Sequence, residues 1–273
     1  MKYQGILSIN SIMRPNFSVT DFIRLSAGIG LSAVELRNDL PDPRIYGGES
    51  AEVINSVSAE TGVRILTINA LQRFNDPFLF NKKKNELEEL VSTAAGIKCP
   101  MIVLCPVNDP EDSRSDEEQH KDLSAALVEY APVLEKNGIT GLIEPLGFSI
   151  CSLRTKAQAV KAIQETNLSS VFKITHDTFH HYLSGETEVF PDETGLIHVS
   201  GVLPDKEKGT ITDDDRILVT PEDCMRNREQ VKSLINGGYT GPVSYEAFSP
   251  EVQKMGTQQL AEGIKASIQL LFS

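Results

Sequence analysis

The chain has 273 residues, 40% of them hydrophobic, and carries 26 Lys and Arg against 38 Asp and Glu, a formal net charge of −12 at pH 7. So acidic a surface repels a phosphate backbone and argues against nucleic acid as a partner. No run approaches the roughly 18 apolar residues of a membrane span, the apolar run in Met1 to Asn10 is too short for a secretory signal, and the four cysteines (Cys99, Cys105, Cys151, Cys224) lack CxxC spacing. A soluble, cytoplasmic protein with free thiols is expected.

From the N-terminus onward, short β-branched runs alternate with longer stretches of helical period, the pattern of repeated βα units around a parallel sheet. Eight strands are predicted, at residues 5–10, 33–37, 64–69, 101–105, 140–144, 171–176, 196–200 and 242–246. Helices are predicted between them. One is capped by Ser18-Val19-Thr20-Asp21 and stops near Gly28; others span 82–95 closed by Gly96, 116–136 ended by Asn137-Gly138, 155–165, 220–236 closed by Gly237-Gly238, and 256–271. Leu123, Ala126, Leu127, Tyr130, Ala131 and Leu134 recur at three and four positions, a stripe that packs against the sheet. No linker or low-complexity tract breaks the series, and about 250 residues suffice for a (β/α)8 barrel, so residues 1–273 are read as one such domain. The loop at 201–220, with Asp205-Lys206-Glu207-Lys208 and Asp213-Asp214-Asp215-Arg216, is too long and too charged for an ordinary βα turn.

In such a barrel all strands end on one face, where active sites sit. Glu144, Asp177, His198 and Glu246 stand at the ends of the fifth to eighth predicted strands. Three carboxylates and an imidazole converging there make a hard, oxygen-rich site for one divalent ion, Mn²⁺, Zn²⁺, Co²⁺ or Mg²⁺. The sixth strand runs into His176-Asp177-Thr178-Phe179-His180-His181-Tyr182-Leu183-Ser184-Gly185, read as a polar turn holding three of the five histidines. A metal beside two carboxylates suits proton abstraction next to a carbonyl, with Glu144 and Glu246 exchanging the proton. His180 and Arg216 are placed to bind substrate oxygens. Glu35 and Asn69 stand at the same rim, where they would read sugar hydroxyls; an ion pair of Glu35 with Arg37 or across strands is the alternative. Phe74 and Phe148 are candidate apolar walls.

These residues resemble the xylose-isomerase-like (β/α)8 family of sugar isomerases and epimerases, nearly end to end. The likeness rests on Val34-Glu35-Leu36-Arg37, Asn69-Ala70-Leu71 with Phe74-Asn75, Glu144, Asp177-Thr178-Phe179-His180, His198, Thr212-Asp213-Asp214-Asp215-Arg216, and Val243-Ser244-Tyr245-Glu246-Ala247-Phe248 with Pro250-Glu251. It implies a metal held by Glu144, Asp177, His198 and Glu246, and a small keto-polyol or keto-sugar substrate, an inosose first. One departure stands out: the Pro-Gly-x-Gly turn that usually follows the Asp-Arg pair is replaced by Ile217-Leu218-Val219-Thr220-Pro221-Glu222-Asp223, which has no glycine. A dehydratase of the same family would share the metal and the first proton abstraction, and a hydroxypyruvate-type isomerase is a further alternative. An apurinic endonuclease would need a histidine-rich three-zinc cluster, which five histidines and a net charge of −12 do not suit. A non-catalytic polyol-binding relative would lack a ligand or base, and none is missing. Oligomeric state, a homo-oligomer included, is left open.

Overall fold

Eight runs rich in Val, Ile, Leu and Thr form eight parallel strands that hydrogen-bond in chain order and close on themselves: β1 (Leu7–Asn10), β2 (Ala33–Arg37), β3 (Arg64–Gln72), β4 (Met101–Cys105), β5 (Thr140–Ile143), β6 (Phe172–Asp177), β7 (Thr194–Val199) and β8 (Val243–Tyr245). They belong to a computed structural model of the chain that describes residues 3–40 and 48–273. Ser8 stands opposite Ala33 on one side and Ser244 on the other, the pairing that closes the barrel. The strands are buried almost throughout, as expected of a sheet covered on one face by helices and on the other by its own interior.

The helices lie between the strands: α1 (Val19–Ile29), α2 (Ala51–Thr61), α3 (Phe80–Gly96), α4 (Asp116–Lys136), α5 (Lys156–Glu165), α6 (Thr178–Ser184), α7 (Asn227–Asn236), α8 (Pro250–Lys254) and α9 (Thr257–Phe272). Their starts follow local capping chemistry. Ser18 accepts from the Asp21 N–H, and Ser115 with Glu118, and Thr155 with Gln158, form reciprocal capping boxes. Leu123, Ala126, Leu127, Tyr130, Ala131 and Leu134 are the buried face of α4. None of the described helices is long and apolar enough to cross a membrane.

The structure corrects four expectations. α1 runs past Gly28 to a left-handed cap at Gly30. A helix, α2, occupies the stretch after β2 where none was predicted, and it is capped by Ser50 and Gly62. The helix expected at 220–236 begins only at Asn227, because Arg226 is left-handed (φ 59°) and breaks any continuous helix there. The polar turn after β6 is instead the short helix α6, with Asp177 as its N-cap.

The barrel interior is divided. Val103, Leu142 and Leu196 form an apolar cluster on one side, with Ala70 and Cys105. Ser8, Glu35, Thr67, His198 and Ser244, all 0% exposed, make the other side polar. A barrel lumen is ordinarily filled by branched apolar side chains, so this polar half needs a chemical reason.

Candidate active site

Glu144 directly follows β5, Asp177 is the last residue of β6, His198 lies one residue from the end of β7, and Glu246 directly follows β8. Side chains alternate sides along a strand, so Leu142 and Leu196, two residues before Glu144 and His198, share their inward direction. Parallel order and inward direction together bring the four donors to one point. One ligand atom from each lies within 4.8 Å of the others, and all four residues are buried. His198 is central: its Nδ1 stands 2.7 Å from Glu144 Oε1, 3.3 Å from Glu246 Oε2 and 3.9 Å from Asp177 Oδ2.

Three carboxylates gathered out of water repel one another, and cations must balance them. Arg216, 1% exposed, donates through Nη2 to Asp177 Oδ2 (2.7 Å) and Glu246 Oε2 (2.9 Å), through Nη1 to Asp213 (3.2 Å) and through Nε to Ser200 (3.1 Å). Arg37 grips Asp39 with two bonds of 2.8 and 2.7 Å and donates to Glu246 Oε1 at 2.9 Å, where Asn10 also donates at 3.0 Å. Both guanidinium groups lie over the Phe248 ring, at 5.0 Å for Arg37 and 4.6 Å for Arg216. Arg216 reaches the site because the long loop after β7 folds back. Gly201 and Ile217 exchange backbone hydrogen bonds of 2.7 and 2.9 Å, and a side chain at Gly201 would meet the Leu218 carbonyl at 2.6 Å. Gly201 therefore supplies a close approach without the glycine turn that the segment after Arg216 lacks.

Burial and these charges push the titrating groups apart. Burial, reinforced by the Glu144 charge, raises Glu246 to about 7 in spite of His198 and Arg216. Burial also acts to raise Glu144 and Asp177, but His198 beside the first and Arg216 beside the second hold both below the usual carboxylate range. His198 is held well above its ordinary value, burial being outweighed by Glu246, Glu35 and Glu144. His180 goes the other way, because burial disfavours its charged form.

A cavity of about 340 Å³ opens onto two of the four donors, Glu144 and Glu246. His180, Arg216, Asn69 and Phe148 line it beside Glu144 and Glu246. His180 is set edge-on to Phe148 and Phe179, with ring centroids at 5.3 and 5.1 Å, and its Nδ1 has no partner among the described residues. Gly147 lets the loop after β5 press on this corner: a Cβ there would meet the His180 carbonyl at 2.3 Å. Other candidates lie elsewhere. Glu35 is 0% exposed and does not line the cavity; it bonds Thr67, Asn69 and His198, the last being an ion pair across strands, the alternative expected for it, and it does not pair with Arg37. Phe74 is buried in the main apolar core, away from the cavity. His176 and His181 also face away, their rings 4.9 Å apart, with His176 bonded to Gln230 and His181 to Lys156.

The donor set fits a divalent cation: oxygen-rich, converging and buried, with its negative charge answered at present by one imidazole and two arginines. The Xylose isomerase-like TIM barrel family model matches residues 23–273. The chain belongs to that family. Among its relatives, the inosose isomerase of Halalkalibacterium halodurans C-125 is 23% identical over 244 residues, covering 86% of this chain and 85% of that one. A xylose isomerase domain containing protein of Salmonella typhimurium LT2 superposes with a TM-score of 0.90 over the full length of both chains at 30% identity. The IolI protein, whose crystal structure has a bound zinc atom, superposes with a TM-score of 0.89 at 21% identity, covering 97% of this chain and 98% of that one.

Within this xylose isomerase-like barrel, sequence reasoning missed the clamp on Glu246 by Asn10 and Arg37 and the ring of Phe248 beneath two guanidinium groups. A signal existed for Arg37. It ends a predicted strand, and period two puts it on the same inward side as Glu35.

Proposed function

We propose that the protein is a divalent-metal-dependent isomerase or epimerase of a keto-polyol or keto-sugar, an inosose first, and that it moves a proton between carbons through an enediolate. The observation that carries this reading is the placement of two glutamates, Glu144 after β5 and Glu246 after β8, both beside Nδ1 of His198 and both on the cavity wall. Glu144, Asp177, His198 and Glu246 would hold the ion, which would supply a Lewis acid to polarise the substrate carbonyl. One glutamate takes the proton from the carbon beside the carbonyl, and the other returns a proton to the neighbouring carbon. His180, uncharged because it is buried, offers Nδ1 to a substrate hydroxyl, while Arg216, which cannot lose its charge, holds an oxygen that becomes negative. Asn69 on β3 offers a further contact from the opposite wall. The inosose isomerase relative and the zinc in IolI support the substrate class and the metal.

The test is incubation of the metal-loaded protein with a panel of inososes and ketohexoses in D₂O, followed by NMR. Deuterium at the carbon beside the carbonyl, together with a new isomer, is the expected result. A product absorbing in the ultraviolet as an enone would mean that hydroxide leaves after the first step, the dehydratase alternative. Absence of exchange and of product across the panel would refute the reading.

A further inference from the structure

Glu35 is a carboxylate buried at 0% exposure in the polar half of the barrel lumen, below the four donors. Its Oε2 receives three hydrogen bonds, from Thr67 Oγ1 at 2.6 Å, Asn69 Nδ2 at 3.1 Å and His198 Nε2 at 3.1 Å. Arg37, two residues on, turns away to Asp39 and Glu246, so the charged partner of Glu35 is the His198 ring. Even with these partners, taking a carboxylate and an imidazole out of water offsets much of what their attraction returns, and an apolar residue of similar volume would ordinarily serve the fold as well or better. The reason for a carboxylate at this position therefore has to be sought in what it does to the histidine.

The two nitrogens of His198 face different neighbours. Nδ1 points into the cluster of Glu144, Glu246 and Asp177, and Nε2 points down the barrel at Glu35. A ring nitrogen can give its lone pair to a cation only when it carries no proton, and in a neutral imidazole the proton is then on the other nitrogen. Thr67 and Asn69 donate to the same oxygen that meets the ring, which fixes that oxygen in place as an acceptor. We propose that Glu35 is a positioning residue: its charge holds the His198 proton on Nε2, so that the Nδ1 lone pair is the one presented to a divalent ion. A carboxylate behind a metal-binding histidine fixes the ring and makes it a stronger donor. The polar half of the lumen is then the support of the metal site, with Thr67 and Asn69 holding Glu35 as Glu35 holds His198. This proposal rests on the metal reading of the site given above.

The experiment measures the Kd of Zn²⁺ and of Mn²⁺, by competition with a chelator, for the full chain stripped of metal and for its Glu35→Gln and Glu35→Leu variants, each checked for folding by circular dichroism. Gln keeps an oxygen where Thr67 and Asn69 donate but loses the charge; Leu loses both. The expected order is wild type tightest, then Gln, then Leu, with a loss of about 10- to 100-fold for Leu. Nitrogen-15 NMR of the zinc-loaded wild type is expected to show His198 protonated at Nε2 and ligated through Nδ1. Folded variants that bind both ions as tightly as wild type, or an ion on Nε2, would overturn the proposal. If the Leu variant does not fold, the Gln variant and the NMR decide, an unchanged Gln Kd counting against it. A wild type that binds neither ion at millimolar concentration would be a different failure, that of the metal reading itself.

Discussion

Glu246 has both oxygens engaged, one by Asn10 and Arg37 and the other by Arg216, whereas Glu144 contacts His198 and, at 3.6 Å, the thiol of Cys105. Replacement by Gln keeps the size and an oxygen donor but removes basicity. Each metal-loaded variant is therefore expected to lose roughly 10²- to 10⁴-fold in rate, the usual share of acid–base catalysis. Deuterium exchange then separates the roles. A variant that still exchanges the substrate's hydrogen but forms no isomer has lost the group that returns the proton, and one that does neither has lost the base. Two Gln variants working at the wild-type rate would rule out both glutamates as catalysts. Asp177→Asn places an amide against Arg216, and His198→Ala removes the central donor. Both are expected to abolish tight metal binding, measured as bound metal per chain after dialysis, and full occupancy in either would contradict the ligand assignment. At this scale the donor types were legible, because a parallel barrel carries every strand end to one rim. Partners were not. Arg37 meets Glu246 across 209 residues of chain, and no local pattern says that Glu35 answers to His198 rather than to its neighbour.

The ten residues from His176 to Gly185 show why elements are harder to read than strand ends. Their polar composition suggested a turn, yet Asp177 Oδ1 accepts the Phe179 N–H at 2.7 Å and starts α6, in which each residue turns about 100° from the last. That rotation sends His180 into the cavity and His181 away from it, toward the Nζ of Lys156 at 2.7 Å. Lys156 also meets Glu186, whose carboxylate accepts the N–H groups of Lys156 (3.1 Å) and Ala157 (2.9 Å) in the first turn of α5. Burial acts to raise Glu186, but bonds from His181 and Lys156 and the Lys156 charge bring it down to about 2. A carboxylate with a depressed folded pKa stabilises the fold above its unfolded value of about 4.3, and that contribution is lost as pH falls toward the folded value. Glu186→Gln should therefore be less stable than wild type at pH 7, and the gap in Tm should close between about pH 4.5 and pH 2. A gap that stays constant across this range would show that the pair does not set acid stability. Capping signals located α4 and α5 well. α7 was overextended, because Thr220-Pro221-Glu222 reads as a helix start and nothing in the sequence announces the left-handed backbone of Arg226.

At the scale of the molecule, the alternation of eight apolar runs with amphipathic stretches was enough to give the (β/α)8 class, since a parallel sheet of that size with a helix after each strand closes without free edges. The divided lumen was not legible, because Ser8, Thr67 and Ser244 look in sequence like ordinary polar positions of half-exposed strands. The seam of the barrel carries a consequence for synthesis. The proposed ligands enter the chain between residues 144 and 246, and the last of them directly follows β8, the three-residue strand that docks between β7 and β1. A growing polypeptide that already displays Glu144, Asp177 and His198 still lacks the fourth ligand, and the pocket is unfinished until the final strand is seated. On the proposed ligand assignment, full coordination of an ion would come only after the ring has shut and would act as a latch on its seam. Amide hydrogen exchange should show it: zinc loading is expected to slow exchange in β8 and β1 more than in β3 and β4, and uniform slowing would mean that the ion stabilises the barrel without latching its last strand.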